Sequence, residues 1–275
     1  MKTFIADKRV KLNKFLLEKY DGALSFATFR KLLRNKDIKV NGKRVKEDLL
    51  LNLNDTIEVY FDGEERKVQI NLLYNNKGVL AFDKPSGITS IDFESVVKTK
   101  FPSAVLMHRL DRNTSGILLF ALDDVSGEEL KKSFKNRAIT KFYMAEVYGK
   151  LKEKSKILTA YLKKDSEKSL VEIYDEPVLG GDKIITGYKV VKEYEKSTLL
   201  EVELFTGKTH QIRAHLAHIG HPIIGDGKYG TNEINGEFKE KRQRLTACKI
   251  QFHFDKNSPL YELNGDEITL NRKPF

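Results

Sequence analysis

Residues 106–122, LMHRLDRNTSGILLFAL, constrain the fold of this chain more tightly than any other stretch. The run GILLFA at 116–121 is apolar without alternation and rich in branched and aromatic side chains, which predicts a short strand covered on both faces. Thr114, Ser115 and Gly116 read as the turn entering it, so the polar segment before them is a loop carried on a rigid strand. Catalytic groups concentrate in loops of that kind. Asp111 lies at the centre of the loop, flanked by Arg109 and Arg112, with His108 further out. An acid among bases here is either an active-site carboxylate or a surface turn closed by an ion pair, and the rest of the chain has to separate the two.

With 275 residues, 40% of them hydrophobic, the chain can bury one full core and has room for a small second domain. Its formal net charge of +10 points to a polyanionic partner, nucleic acid or a membrane surface, and says nothing about fold. The N-terminal MKTFIADKRVKL lacks the apolar centre of a signal peptide, and no apolar run approaches the ~18 residues of a membrane span, so a cytoplasmic protein with no membrane partner is expected. Cys248 is the single cysteine, which excludes internal disulfides and a Cys-rich zinc site.

Residues 1–46 hold 14 Lys and Arg against Asp7, Glu18, Asp21 and Asp37, and so account for the whole positive excess. Leu12, Phe15, Leu16 and Lys19 have helical spacing, as do Phe26, Phe29, Leu32 and Leu33 in a second segment. Ile38-Lys39-Val40 and Val45 flank Asn41-Gly42, a hairpin-turn dipeptide, with Lys43 and Arg44 lengthening the loop beyond the minimum. An alternating strand follows, with Ile57, Val59 and Phe61 on one face. Arg30, Lys31, Arg34, Lys39, Lys43 and Arg44 thus gather on helices and a hairpin, a pattern explained better by phosphate contacts than by a merely solvated face. The polar GEERK at 63–67 marks a boundary, giving domains at 1–62 and 70–275 joined by a linker, 63–69, too short for wide independent motion.

In the second domain, 72–74 and 79–82 predict a hairpin running into DKPSG, where Pro85 and Gly87 end the strand and leave Lys84 exposed, a solvated lysine on the residues alone. Ser126 and Glu129 have capping-box spacing ahead of a helix reaching about residue 137. KFYMAEVYG at 141–149 is a strand with Tyr143 and Tyr148 on opposite faces, one for the core and the other able to meet an unstacked base. Weak strands at 157–162 and 170–174, a hairpin of 184–194 with 198–205, and a strand at 245–254 complete the pattern, while the polar 231–241 reads as a surface loop. Much antiparallel strand with few helices implies an α+β class: a mixed, mainly antiparallel sheet preceded by a small N-terminal α/β domain.

The second informative stretch is TGKTHQIRAHLAHIGHP at 206–222. Ile212, Leu216 and Ile219 form one helical face, Thr209 is a plausible N-cap, and Gly220 with Pro222 stops the helix. Arg213 lies one turn in, with a permanent charge suited to clamping a carboxylate. Four of the six histidines fall here, but no HExxH pattern accompanies them, the first acid afterwards is Asp226, and His210 and His215 fall on different faces, so no metal site is expected.

HRLDRNTSGILLFA, GKTHQIRAHL with GHPIIGDGKYG, the KPSG turn and KFYMAEVYG, spread over about residues 70–255, resemble the RluA-type pseudouridine synthase family. KLNKFL, RKLLRNKDIKVNGKRV and LNDTIEVY, over about residues 8–60, resemble the S4 RNA-binding domain, although Asn13, Asp37 and Asn54 stand where that family often has Asp, Gly and Gly. The resemblance implies isomerisation of uridine to pseudouridine in structured RNA with neither metal nor organic cofactor, and a monomer is expected. It puts the catalytic aspartate at Asp111, its arginine partner at Arg213, the base-contacting tyrosine at Tyr143, and the arginine that fills the vacated base position at Arg109. Lys84, Lys208 and His210 join the RNA-binding candidates; Lys208 replaces a usual Arg, and Thr246 stands where His often precedes Ala. The S4-like segment points to ribosomal RNA of the large (23S-type) subunit, with transfer RNA as the alternative substrate.

The residue types suit that chemistry. Breaking an N-glycosidic bond and re-forming it through carbon needs a carboxylate as nucleophile or base, and the target must leave its stack to be reached. Asp111 attacking the sugar, attacking the uracil ring, or deprotonating the sugar all remain open. An N-glycosidase releasing free base, or a catalytically idle RNA-binding or ribosome-assembly protein, are the competing readings, and product analysis on uridine-containing RNA separates them.

Overall fold

The computed structural model describes residues 1–20, 24, 26–61, 68–165, 170–240 and 242–275, the side chain of Ala27 excepted. It divides into two compact units, Met1–Ile70 with Ile91–Pro102, and Asn71–Ser90 with Ser103–Phe275. The expected linker at 63–69 lies largely outside the described residues.

In the first unit β1 (Lys2–Ile5), β2 (Val10–Lys11), α1 (Leu12–Lys19), α2 (Phe26–Asn35), β3 (Ile38–Val40), β4 (Lys43–Arg44), β5 (Leu50–Leu51) and β6 (Thr56–Val59) follow one another. The strands form an antiparallel sheet in the order β1-β6-β3-β4 and a separate β2-β5 pair. The apolar residues with helical spacing, Leu12, Phe15 and Leu16 on α1 and Phe29, Leu32 and Leu33 on α2, are buried in one cluster with Ile38, Ile57 and Val59. The hairpin is tighter than its sequence suggests. Val40 pairs with Lys43 across Asn41 and Gly42 alone, whose φ of 51° and 76° match the positive values of a two-residue turn, so Lys43 and Arg44 belong to the strand. Asn54 adopts φ 67°, a conformation asparagine tolerates better than most residues.

The second unit is built on one large sheet. Its elements are β7 (Leu72–Asn76), β8 (Val79–Lys84), β9 (Val105–Leu106), β10 (Ser115–Ala121), α4 (Asp124–Lys135), β11 (Ile139–Tyr148), β12 (Ser155–Asp165), β13 (Leu170–Tyr174), β14 (Asp182–Glu193), β15 (Ser197–Leu204), α5 (Gln211–His218), α6 (Asn232–Glu237), β16 (Leu245–Phe252) and β17 (Glu267–Thr269). Helix α3 (Ser90–Lys98), which is not among the elements expected from the sequence, starts on Ser90 of this unit and continues into the first. The sheet order is β13-β12-β14-β15-β11-β16-β10-β8-β7, with β17 beside β16 and β9 beside β10. Every pairing among the described strands is antiparallel except β10 with β16.

That exception positions the central loop. One edge of β10 pairs with β16 at Ser115 and Gly116 and with β9 at Phe120 and Ala121, while β8 takes the other edge from Gly116 to Ala121. Gly116 sits at φ 113°, and a Cβ there would fall 2.1 Å from the Ala247 carbonyl oxygen, so only glycine lets the two strands approach. Residues 117–121 are all buried, as the unbroken apolar run requires.

Two helical expectations shift. α4 begins at Asp124, with Asp123 rather than Ser126 as its N-cap: the Asp123 carboxylate accepts from the Ser126 N–H at 2.8 Å. The expected loop at 231–241 contains α6, started by the Thr231 hydroxyl accepting from the Ile234 N–H at 3.2 Å. No helix among the described residues is long and apolar enough to cross a membrane.

Candidate active site

The loop between β9 and β10 carries Asp111 and is fastened from below by the KPSG segment. Lys84 is wholly buried, not exposed at a strand end, and its ammonium donates to the carbonyls of Pro85 (2.9 Å), Ile88 (2.9 Å) and Arg112 (3.3 Å). Burial pushes its pKa down to about 8, opposed by the charge of Asp111. The expected exposure of Lys84 is therefore corrected: its protons are directed at three backbone carbonyls. Around it the Gly87 N–H donates to the Arg112 carbonyl at 2.8 Å, and the Ser86 hydroxyl to the Asn113 carbonyl at 2.9 Å. Ser90 Oγ donates to the Leu110 carbonyl and accepts from the Leu110 N–H, both at 2.9 Å. The backbone on either side of Asp111 is thus held by bonds from Lys84, Gly87 and Ser90.

Arg213, on α5, donates from Nη1 to Asp111 Oδ2 at 2.7 Å, across 102 residues of sequence. Its other donors close a two-point pair with Asp226, Nε to Oδ2 at 2.7 Å and Nη2 to Oδ1 at 2.9 Å. Asp226 is wholly buried, and its Oδ1 also accepts from the N–H groups of Lys228 (2.9 Å) and Tyr229 (3.2 Å). Burial opposes ionisation of Asp226, but Arg213 and the two N–H groups outweigh it and hold the carboxyl below its ordinary range. Burial likewise works against the charge of Arg213, and Asp226 and then Asp111 more than restore it. The guanidinium is therefore a fixed cation with one edge on a buried anchor and one donor on the half-exposed Asp111. From its sequence GDGKYG is only a turn, and the one signal for Asp226 as the anchor is an acid placed shortly after the arginine helix.

Tyr143 lies on β11, paired with Ala247 and Val202, and is 5% exposed. Burial and then the negative charge of Asp111 raise its phenol above the ordinary range, so it stays protonated beside the carboxylate. Arg109 is exposed next to Asp111 on the same loop. His210 precedes α5 in the left-handed conformation, φ 55° and ψ 14°, at a cost of roughly 1 kcal/mol for a residue with a Cβ. It is His210, not Thr209, that occupies the N-cap position, and its side chain makes no capping bond. The Gln211 amide oxygen satisfies the loop instead, accepting from the Lys208 N–H at 3.1 Å and the Thr206 hydroxyl at 2.8 Å. The His210 ring meets the Tyr229 hydroxyl at 2.9 Å through Nδ1, and its Nε2 lies 4.0 Å from Asp111 Oδ2.

The remaining candidates are placed differently. Lys208 turns to Asp182 at 2.8 Å on the surface, an exposed pair of small energetic weight. In the first unit Arg30, Lys31, Arg34, Lys43 and Arg44 are exposed, with Arg44 also donating to the Lys36 carbonyl at 2.7 Å, while Lys39 is half-buried and paired with Glu58 at 3.4 Å. Among the described residues no group of three or more His, Cys, Asp and Glu could hold a metal ion. The other histidines of this stretch are engaged separately: His215 with the Thr186 hydroxyl (3.0 Å), His218 with Asp175 (2.9 Å), and His221 donating to the Tyr148 carbonyl (2.9 Å).

Sheet order and site together define a class, a mostly antiparallel α+β enzyme core with a carboxylate braced by a buried arginine. The fold is shared with solved pseudouridine synthase domains. Human RNA pseudouridylate synthase domain containing 1 superposes with a TM-score of 0.62 at 24% identity over 75% of this chain and 92% of that one. The human domain containing 4 gives 0.59 at 18% identity over 73% and 88%. The family model described as RNA pseudouridylate synthase matches residues 78–218, and the chain belongs to that family. It is an RNA pseudouridine synthase, an isomerase. Among curated relatives, ribosomal large subunit pseudouridine synthase C of Rickettsia felis is 31% identical over 96% of this chain and 93% of its own length. That of Vibrio parahaemolyticus is 29% identical over 86% and 82%.

Proposed function

We propose that this enzyme converts uridine to pseudouridine in large-subunit ribosomal RNA in the cytoplasm, with Asp111 as the catalytic carboxylate and Arg213 as the group that holds it. The observation carrying the reading is the Asp111–Arg213–Asp226 chain, in which a buried guanidinium fixed by one carboxylate presents a single donor to the other. A carboxylate oriented in this way, in a partly open site, is ready to act on a nucleotide flipped out of its stack. Tyr143 contacts the target base, and the exposed Arg109 enters the space the base leaves. The ribosomal substrate is supported by the names of the relatives, which the chain matches over most of its length.

Residues 1–62 serve as the S4-like RNA-binding domain and 70–275 as the catalytic domain. Support comes from the exposed Arg30, Lys31, Arg34, Lys43 and Arg44 gathered on α2 and one hairpin. The test is to incubate parent and Asp111→Asn enzyme with unmodified large-subunit ribosomal RNA, map pseudouridine positions and assay free uracil. Site-specific pseudouridine with the parent, none with the variant, and retained RNA binding by both are expected. Parent-like product from Asp111→Asn refutes the catalytic assignment, and free uracil from the parent refutes isomerisation.

A further inference from the structure

We infer that His210 is a further catalytic residue: its Nε2–H, held toward Asp111 by Tyr229, donates a hydrogen bond to a uracil carbonyl oxygen as the base detaches. The inference rests on the Asp111 reading and adds to it a neutral donor facing the same reacting nucleotide.

Three features of the geometry converge. The Val171 N–H donates to Tyr229 Oη at 3.0 Å and takes up one acceptor position of that oxygen, which favours the Tyr229 hydroxyl as donor to His210 Nδ1 at 2.9 Å. A neutral imidazole that accepts at Nδ1 carries its proton on Nε2. That nitrogen stands 4.0 Å from Asp111 Oδ2, near the carboxylate but beyond hydrogen-bond length, so its proton is not spent on that oxygen. The backbone supplies the third feature: His210 adopts the left-handed conformation although its side chain makes no capping bond that would offset the strain. Strain of this kind is concentrated at functional positions.

The ring also holds the right charge state. The charged groups facing it are Asp111, Arg213, Lys228 and Asp226, and burial, ahead of all of them, keeps the imidazole below its ordinary range and neutral at pH 7.

The chemistry calls for such a donor. When the C1′–N1 bond breaks, its electron pair goes to the base and negative charge spreads from N1 onto the carbonyl oxygens. C5 then bonds to C1′, C5 loses its proton and N1 gains one, so atoms and charge balance across the isomerisation. A fixed N–H that strengthens its bond as the oxygen becomes anionic lowers the barrier without itself losing the proton.

The test is single-turnover kinetics at saturating RNA, with RNA affinity measured separately, for His210→Ala, His210→Gln and Tyr229→Phe. His210→Ala should slow the reaction by about 100-fold with affinity changed by no more than about twofold, since losing one donor of this type costs about 100- to 1,000-fold. His210→Gln, whose amide N–H reaches a similar point, should recover about tenfold of that loss, and Tyr229→Phe should fall between it and the parent. A His210→Ala rate within about threefold of the parent overturns the inference. So does a loss confined to affinity, or a Gln variant as slow as Ala while both stay folded by circular dichroism. If His210→Ala does not fold, the Gln and Phe variants decide: parent-like rates in both overturn it. Asp111→Asn in the same assay reports on the underlying reading separately, because its activity bears on the carboxylate and not on the histidine.

Discussion

Lys84→Met tests whether the buried lysine is an internal fastener or an RNA contact. In the folded chain its pKa is pushed down to about 8 by burial, against an ordinary 10.5. Below pH 8 both folded and unfolded states hold the proton, and stability does not change with pH on its account. Between 8 and 10.5 the unfolded chain keeps the proton that the folded chain has lost, so stability rises with pH. At about 1.36 kcal/mol per pH unit the rise amounts to roughly 3 kcal/mol, which is the penalty at neutral pH for keeping the buried ammonium charged. The three carbonyls it satisfies offset that penalty, since each buried acceptor left without a donor costs about 1 to 3 kcal/mol. Methionine fills the volume but supplies no proton. The variant should be less stable than the parent at pH 7.5, and the gap should widen as pH rises toward 10, because only the parent gains. Urea unfolding from pH 7.5 to 10 measures this directly. A gap that stays constant refutes the buried-charge account. The same variant should leave the salt dependence of RNA binding unaltered; a fall of about 0.7 to 0.9 in log-log slope would make Lys84 a phosphate contact after all.

The remaining predictions concern other parts of the molecule. Deleting residues 1–62 should weaken RNA binding and flatten its salt dependence by about 0.7 to 0.9 in slope for each phosphate no longer neutralised, with turnover of a short saturating substrate changed less; unaltered affinity and slope would assign the segment to protein contacts. Tyr143→Phe should keep most of the single-turnover rate and Tyr143→Ala should weaken base stacking by about 1 to 3 kcal/mol, whereas equal inactivity of both would give the hydroxyl a chemical task. His215 is buried against Thr186 with its pKa lowered by burial to about 4, so the protein should lose stability as pH falls from about 6.5 toward 4, by about 2 kcal/mol at pH 5. His215→Leu should remove that loss, and parallel unfolding curves for parent and variant over this range would contradict it.

The elements legible in the sequence are those whose signal is local. The strand at 115–121 declares itself because five buried side chains in a row admit no solvent face, and α5 ends where Gly220 takes a positive φ. Boundaries move where a nearby polar group outcompetes the expected one, as Asp123 does at α4 and Thr231 at α6. The site is harder to read, since its bonds join residues distant in the chain. Asp111 and Arg213 stand 102 positions apart, and their pairing follows from the family resemblance, not from any pattern of charge. Lys84 misleads because a lysine beside proline and glycine is normally solvated, and nothing adjacent in sequence reveals the Arg112 carbonyl that helps to hold it. Asp226 is inconspicuous because a carboxylate in a glycine-rich turn usually serves the turn, whereas this one also anchors a cation.

These departures share a location. Lys84, Asp226 and the left-handed His210 all break local rules, and all bear on Asp111: Lys84 through the Arg112 carbonyl, Asp226 through Arg213, His210 by facing it. A buried ammonium and a buried carboxylate each cost several kcal/mol unless paired, so a chain selected for stability alone would place apolar residues there. Their presence around one half-exposed carboxylate is what a site gains in orientation and loses in stability. Both sides of that exchange can be measured. Asp226→Asn leaves the Arg213 charge buried with a weaker partner, so it should destabilise the fold by about 3 to 5 kcal/mol and slow single-turnover pseudouridine formation together. A variant that loses stability but keeps the parent's rate at a temperature where it is fully folded would show that Asp226 supports the fold alone and does not orient the arginine for catalysis.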